Sequence, residues 1–488
     1  MSQKHQKTQR PRWLPALAAL AAVGCIQQTG PVLSDSLGLA PVAPLPSSDQ
    51  LAWQTQELTA FLHFGIDTFT DKEQGDGTDS PTVFNPGALD ATQWMAALKA
   101  AGVRQVMLTA KHHDGFCLWP SQCTPLPQRT PYTVAQSPWL GGKGDVVQQF
   151  VDAAHQANMR VGLALSPLDR HEEPTTPGTS AYQPFFECQV RELLTNYGPL
   201  DELWLWGSPP PISPFDWTRV EHLVHQLQPN VLLDEATRDA TGADLRSAGQ
   251  AVPNLPMGPI DENSVQPAPG GPTLPNVWYP AESAFSIRPG WFWHPAEDTK
   301  LKTLNQLVGL YFDSVGRNSI LLLGVPPNTQ GLLADPDVAA LDMLGAAIRG
   351  IYQSNLAAAR PAVADSVFKD ASARAAKMAV DGKLDTFWAA GEGKTTARLE
   401  VDLGGPVAFN LVSVQEPIAL GERITEHHLE AKVNGVWTKL AMGTGTVVGE
   451  RKLHRVGPVM ATGIALVITQ ARGVPAVAEL GVYQSSFP

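Results

Sequence analysis

Between about Leu51 and Tyr352, short apolar runs alternate with longer stretches of helical periodicity. The runs are typical of buried strands and include Gln105–Thr109, Arg160–Leu165, Glu202–Trp206 and Asn230–Leu233. The longer stretches predict helices at Ala91–Ala101, Gly144–Asn158 and Phe185–Tyr197. Repeated strand–helix units over about 300 residues predict a (β/α)8-like parallel barrel, an α/β fold. Such barrels place their chemistry at the C-terminal ends of strands, which is where His112, Asp169, Trp206 and Asp234 fall.

The pattern changes after Ala357. Short alternating runs now follow one another, separated by turn residues, at Ala397–Asp402, Leu411–Gln415 and Gly463–Ile468. This arrangement is typical of a β-sandwich. We therefore predict a barrel domain over residues 51–355 and a β-sandwich domain over residues 356–488.

The first 24 residues predict a targeting segment. A basic stretch precedes the apolar run Leu14–Val23, which is too short to span a membrane. The run ends in Ala22-Val23-Gly24-Cys25, which resembles a bacterial lipoprotein signal with Cys25 as the lipidated residue. An ordinary secretory signal cleaved nearby is the alternative. Either way we expect an exported protein, periplasmic or anchored in the outer membrane through Cys25, with residues 25–50 as a tether.

The charge of the chain limits its partners. The formal net charge is −12, and the first 24 residues hold four Lys or Arg residues and no acid, so the remaining chain carries −12 − 4 = −16. A chain this acidic repels the phosphates of nucleic acid, so we exclude that class of partner. Neutral glycans fit the charge better.

Three cysteines remain after Cys25. Cys117 and Cys123 are close enough in sequence to form a small disulfide in an oxidising compartment, but isolated buried thiols are an equal alternative. Cysteine and histidine spacing does not suggest a zinc site. We predict no metal and no cofactor.

Several motifs carry a resemblance to a known family. They are Phe61-Leu62-His63-Phe64-Gly65, Lys111-His112-His113-Asp114-Gly115-Phe116, Trp204-Leu205-Trp206-Gly207 and the run Ser286–His294. In this order they resemble glycoside hydrolase family 29, the retaining α-L-fucosidases. The run Asp381–Trp388 resembles the start of the discoidin-like module that follows the barrel in one subfamily. The resemblance covers roughly residues 50 to 488 and implies a fucosylated glycan as the substrate.

The resemblance also implies a sugar-binding site. His63, His112 and His113 would contact sugar hydroxyls, Glu73 would lie beside the sugar, Trp119 would lie close behind, and Trp291 would stack on the apolar face. From the residues alone, the alternative for each histidine or tryptophan is a place in the core, and the alternative for Glu73 is a solvated loop acid. Since neighbouring residues of an extended chain point to opposite sides, we expect at most one of His112 and His113 to face a ligand directly.

The departures from the family pattern concern catalysis. Trp206 stands where the family has its nucleophilic Asp, and an indole cannot form a glycosyl intermediate. Ala251 aligns with the acid/base Glu, although Glu262 or Glu235 could substitute for it. Gln74, Ala164 and Leu168 replace aromatic residues, and we expect all five changes on one rim.

Relocated carboxylates are the remaining route to hydrolysis. Glu202 shares the face of Trp206 but lies about 13 Å back along the strand, which is too deep. Asp234 and Glu235 end the next strand and are nearer in principle. Three hypotheses therefore stand: an active glycosidase with relocated carboxylates, a non-hydrolytic glycan-binding protein, and a scaffold without affinity for sugar.

Overall fold

The barrel is built on one parallel sheet. The computed structural model describes residues 38–124, 129–172, 182–206, 215–235, 246–247, 278, 280–445 and 447–487. In this part of the chain the strand order is β5-β4-β3-β2-β1-β8-β7-β6, and all adjacent pairs are parallel. The strands are β1 Leu58–Leu62, β2 Gln105–Lys111, β3 Arg160–Leu165, β4 Glu202–Leu205, β5 Leu232–Glu235, β6 Arg246–Ser247, β7 Ala281–Ser286 and β8 Ile320–Gly324. The predicted parallel barrel is confirmed.

Helices follow the strands and cover the sheet. They are α1 Ser48–Gln54, α2 Ile66–Thr70, α3 Ala91–Ala101, α4 Val146–Gln156, α5 Tyr182–Asn196, α6 Trp217–Leu227, α7 Leu304–Ser314 and α8 Asp335–Ile351. Helix α3 has the predicted bounds because Asp90 caps its first turn, accepting from the N–H of Thr92, and Gly102 ends it with a left-handed φ of 95°. Among the described residues, no helix combines the length and apolar character needed to cross a membrane.

Alternation along each strand separates two cores. On β1, Leu58, Ala60 and Leu62 pack in the layer between sheet and helices. Phe61 points the other way and packs inside the barrel with Met107, with further residues of the neighbouring strands, namely Ala164, Trp204, Ala284 and Leu322. This interior column fixes which side chains reach each end of the barrel.

Helix α1 closes the N-terminal end of the barrel. Its Trp53 is fully buried and packs on Leu232 and Ile320. The indole N–H donates to Oε2 of Glu202 at 2.7 Å. The interior below the central column is therefore shielded from water.

The C-terminal domain is antiparallel. One sheet has the order β13-β12-β14-β11-β16 with β9 paired to β11, and β10 pairs with β15 in a second. Its strands are β9 Ala362–Ala364, β10 Trp388–Ala389, β11 Ala397–Gln415, β12 Ile424–Val433, β13 Val436–Gly445, β14 Lys452–Ala471, β15 Ala476–Val477 and β16 Glu479–Tyr483. The predicted β-sandwich class is confirmed, but two runs predicted as separate strands, 397–402 and 411–415, belong to one long strand. Register shifts let β11 bend without ending.

The cysteines pair differently from the expectation. Cys123 is bonded to Cys188 in α5, and Cys117 is a free, buried thiol. Of the two alternatives, the Cys117–Cys123 bridge is excluded, and Cys117 is an isolated buried thiol, whereas Cys123 is paired with a partner that neither alternative included. The chain after β2 turns Cys123 towards α5, a contact that sequence proximity does not reveal.

Part of the predicted tether is packed. Leu39 is 3% exposed and lies in a small core with Phe368, Phe387 and Leu420. Nearby, the N–H of Val42 donates to the carbonyl of Leu420 at 2.9 Å. Cys25 lies outside the described residues.

Candidate functional site at the barrel mouth

Trp206 lies at the C-terminal end of β4, at the opening of the barrel that we call the mouth. Its indole is half-buried and packs on the top of the interior column beside Trp204, with ring centroids 5.9 Å apart. The centroids of His63, His112 and His113 lie 5.3, 5.0 and 4.5 Å from that of Trp206. One indole thus contacts three imidazoles.

Both histidines of the adjacent pair lie against the indole of Trp206. The expectation that they would point to opposite sides is wrong, because β2 ends at Lys111 and both residues lie in the turn that follows. Their centroids are 4.3 Å apart. The Nδ1 of His113 is 2.7 Å from the hydroxyl of Ser166, which holds this ring at the end of β3.

Burial gives the histidines different charge states. It lowers the pKa of His63 well below its usual value and lowers that of His113 to about 2, and His112 adds repulsion in both cases. For His112 burial also acts downwards, but the carboxyl groups of Asp114 and Asp67 outweigh it and raise the pKa. Its Nδ1 lies 3.4 Å from Oδ2 of Asp67. His112 is therefore the ring that carries a proton most readily.

Glu73 and Trp291 form the opposite wall of the mouth. Oε1 of Glu73 accepts from the N–H of Trp291 at 2.7 Å and lies 3.1 Å from Nε2 of His294. The Trp291 ring lies 5.1 Å from that of His63. Gly324 makes room for it, since a Cβ there would lie 2.7 Å from Cζ3 of Trp291. His294 was not predicted as a site residue, although it ends the quoted run Ser286–His294.

The carboxylates expected near Trp206 lie elsewhere. Asp234 is fully buried, and its carboxylate lies within 4.8 Å of those of Glu202 and Glu282, deep in the barrel. Asp234 is therefore not a relocated nucleophile at the mouth. The backbone of Glu235 pairs with Leu205, and its side chain lies outside the described residues, as do Ala251 and Glu262.

Two regions of the sequence match known families. Residues 43–349 match the α-L-fucosidase family, and residues 362–480 match the F5/8 type C domain. The first match covers more than half of the chain and contains all eight strands of the barrel. The chain belongs to the α-L-fucosidase family, glycoside hydrolase family 29.

Individual members of the fucosidase family support this assignment. α-L-Fucosidase 1 of Arabidopsis thaliana is 38% identical over 459 residues, covering 92% of this chain and 89% of the relative. A Ruminococcus gnavus family 29 fucosidase, solved in complex with fucose, superposes with a TM-score of 0.80 at 28% identity. That comparison covers 93% of this chain and 98% of the neighbour. The discoidin-like assignment of the C-terminal domain is likewise confirmed.

Within this fucosidase fold, Trp119 is not at the mouth. It is 1% exposed, belongs to the core between sheet and helices, and donates its indole N–H to Glu192 at 2.8 Å. This burial favours the alternative in which Trp119 fills the core, and its role as a sugar contact stays a prediction. Strand β2 ends at Lys111, so Trp119 lies in the loop that follows this strand.

The remaining departures from the fucosidase pattern do not share one rim. Ala164 is fully buried in the interior column and pairs with Trp204 on the neighbouring strand. Gln74 is exposed, and its side-chain oxygen accepts from Arg170. Leu168 is half-buried just after β3. The small side chain of Ala164 lies below the indoles of β4 and leaves them room.

Proposed function

We propose that this member of the α-L-fucosidase family binds fucosylated glycans at the barrel mouth and hydrolyses them very weakly or not at all. The observation that carries the proposal is the position of Trp206. Its ring packs on all three candidate sugar-binding histidines, and the sequence resemblance aligns it with the nucleophile of the family. A retaining mechanism requires two carboxyls about 5 Å apart, and indole replaces one of them.

The state of the nearby acids supports weak hydrolysis. Glu73 is bound to two backbone N–H groups and to His294. Asp67 and Asp114 are buried and approach the mouth through His112. Each of these acids already has a structural partner, and Asp234 is too deep. Relocated carboxylates from outside the described residues are the alternative that a rate measurement tests.

The histidines support sugar binding over an empty scaffold. His63 is 1% exposed, and among the described residues neither ring nitrogen has a hydrogen-bond partner. Leaving a buried polar group unsatisfied costs about 1–3 kcal/mol. A sugar hydroxyl reaching His63 would remove that cost, and the half-buried faces of Trp206 and Trp291 offer apolar surface to the C–H side of a sugar.

The decisive experiment is calorimetry with fucose and fucosylated oligosaccharides. We expect the wild type to bind, and Trp291→Ala and His63→Ala to weaken binding by at least about tenfold, a loss of about 1.4 kcal/mol. Trp437→Ala is the matched control, since Trp437 is also half-buried but lies in the C-terminal sandwich. Its binding should equal that of the wild type.

Two outcomes would overturn the proposal. If the wild type does not bind and Trp206→Asp does, the indole plugs the pocket. If the wild type turns over an aryl α-L-fucoside rapidly, the chain is an active glycosidase with a different carboxylate. The effect of Glu235→Gln on that rate would then identify the relocated group.

We further propose that the chain is an exported bacterial lipoprotein anchored through Cys25. The basic and apolar run before Cys25 supports this. Mass spectrometry of the mature N-terminus should find an acylated Cys25, and Cys25→Ser should move the protein from the membrane fraction to the soluble fraction. A mature terminus at another residue without lipid would leave an ordinary secretory signal.

A further inference from the structure

Three carboxylates meet at the closed end of the barrel, in a cluster that we call the floor. It consists of Glu202 on β4, Asp234 on β5 and Glu282 on β7. All three residues are 0% exposed, and one oxygen from each lies within 4.8 Å of the others. The floor is separated from the mouth by the interior column that contains Trp204.

Two neutral side-chain oxygens also belong to this part of the barrel interior. The amide nitrogen of Gln105 donates to Oε2 of Glu202 at 2.5 Å, which places the Gln105 side chain against the floor. Gln105 is fully buried, and its Oε1 has no hydrogen-bond partner among the described residues. Thr59, the neighbour of Gln105 in the sheet, is also fully buried with an unpartnered hydroxyl. These two oxygens are independent of the acidic cluster and are of the type that binds a hard cation.

Carboxyl groups of the floor lie against one another, and Glu202 has one oxygen without a donor among the described residues. Glu202 receives hydrogen bonds from Trp53 and Gln105 on Oε2, while its Oε1 has no donor in the part of the chain that the structure describes, and the carboxyl of Glu282 interacts with that of Asp234. Arg160, which acts on Glu202 electrostatically, is bound to Asp201 at 3.0 Å. Several buried carboxylates cannot remain charged in a dry interior without a cation or shared protons.

We propose that the floor is a binding site for a divalent cation with oxygen ligands, Ca²⁺, held by Glu202, Asp234 and Glu282 with Gln105 and Thr59 as neutral donors. Ca²⁺ binds six to eight oxygens at about 2.3–2.6 Å, so ligand atoms on opposite sides of the ion are up to about 5 Å apart. The separations at the floor fall within that limit. Mg²⁺ fits less well, because it retains several waters and the site is dry.

The cation would join three strands that are distant in sequence. It would lie beside the indole of Trp53, whose N–H already donates to a proposed ligand at 2.7 Å. The site is remote from the mouth and does not depend on glycan binding. Since Ca²⁺ competes with protons for the carboxylates, its affinity should rise with pH.

The test uses the full chain and the metal alone. After removal of metals with a chelator and titration with Ca²⁺, we expect about one ion per chain by elemental analysis. The unfolding temperature should rise by roughly 2–5 °C at saturating Ca²⁺. Tb³⁺ in place of Ca²⁺ should show luminescence sensitised by Trp53, which Trp53→Phe should weaken.

Glu282→Gln is the variant that should remove the bound ion and the Ca²⁺-dependent shift. Glu416→Gln is the matched control, because Glu416 is a buried carboxylate outside the floor that accepts from the N–H groups of Arg423, Ile424 and Gly449. It should retain both. Wild-type protein that binds no Ca²⁺ and shows no thermal shift overturns the proposal without any variant. Binding that survives in Glu282→Gln overturns it too, since the ion would then lie elsewhere.

Discussion

The mouth and the floor are two ends of one barrel, and a single strand serves both. Along β4, Glu202 lies at the floor, Trp204 in the interior column and Trp206 at the mouth, as the two-residue period of a strand requires. The carboxyl lies in the closed interior, and under the proposed function the indole stands where a retaining glycosidase needs a carboxyl. The position of a residue along the strand, more than the number of acidic residues in the barrel, therefore determines which chemistry its side chain can take part in.

Burial acts to lower the pKa values of the histidines at the mouth and to raise those of the carboxyl groups at the floor. At the mouth it lowers the pKa of His113 to about 2. At the floor burial raises the pKa of Glu202 to about 7, and burial together with the charges of Glu202 and Asp234 raises that of Glu282. For His113 and for these two carboxyls the neutral form is favoured, as expected where water is excluded, whereas the acids beside His112 favour its charged form. Substitutions confined to one end of the barrel therefore test this difference between the mouth and the floor.

The largest expected effect concerns the disulfide that fastens the chain after β2, on the mouth side, to α5. Cys123 and Cys188 are 65 residues apart, so the chain-entropy relation predicts a loss of about 4 kcal/mol when both are replaced by Ser. Urea unfolding under non-reducing conditions measures it. Cys117→Ser, which removes a thiol but no crosslink, should lose much less. Equal losses would show that the crosslink contributes nothing.

The second prediction concerns the floor in metal-free protein. Because the folded-state pKa of Glu202 is raised to about 7, the folded state binds more protons, and this contribution to stability is lost as pH rises from about 4.5 through 7. The shift corresponds to at most about 3 kcal/mol. Urea unfolding at several pH values should therefore show a flatter profile in Glu202→Gln than in the wild type. The same slope in both proteins would exclude Glu202 as the source.

The third prediction returns a carboxyl to the mouth. Trp206→Asp should raise the hydrolysis of an aryl α-L-fucoside by about 100-fold, which is about 2.7 kcal/mol of barrier, because an aryl leaving group needs little protonation. The control is Trp437→Asp, the same change at a half-buried position of the C-terminal sandwich. No gain in Trp206→Asp would mean that the surroundings of the strand end are also unsuited to the reaction.

The smallest expected effect separates the mouth from the core behind it. Trp119→Phe removes one hydrogen bond to Glu192 and should cost about 1 kcal/mol of unfolding free energy while leaving sugar affinity unchanged. Calorimetry and urea unfolding on the same sample measure both quantities. A clear loss of sugar affinity would return Trp119 to the binding site.

Much of the fold was determined by the sequence alone. Apolar periodicity predicted Arg160–Leu165 and Ala91–Ala101 with the observed bounds, because each of these elements is specified by its own residues. The quoted motifs indicated the family and placed Trp206 at a strand end. The nearly constant rise per residue of a strand also predicted that Glu202 lies deep in the barrel, four residues before Trp206.

Only the tertiary structure decided which distant residues meet. Strand tilt and the course of the loops determine three of these arrangements. They are the pairing of Cys123 with Cys188, the shared orientation of His112 and His113, and the burial of Asp234 beside Glu202 and Glu282. His294 joins Glu73 across 221 residues. The floor, with ligands from three strands, follows from closing the sheet around an interior column. Sequence patterns specify the direction of each side chain within its own helix or strand. A site requires side chains from several elements to meet, and tertiary packing determines which of them do.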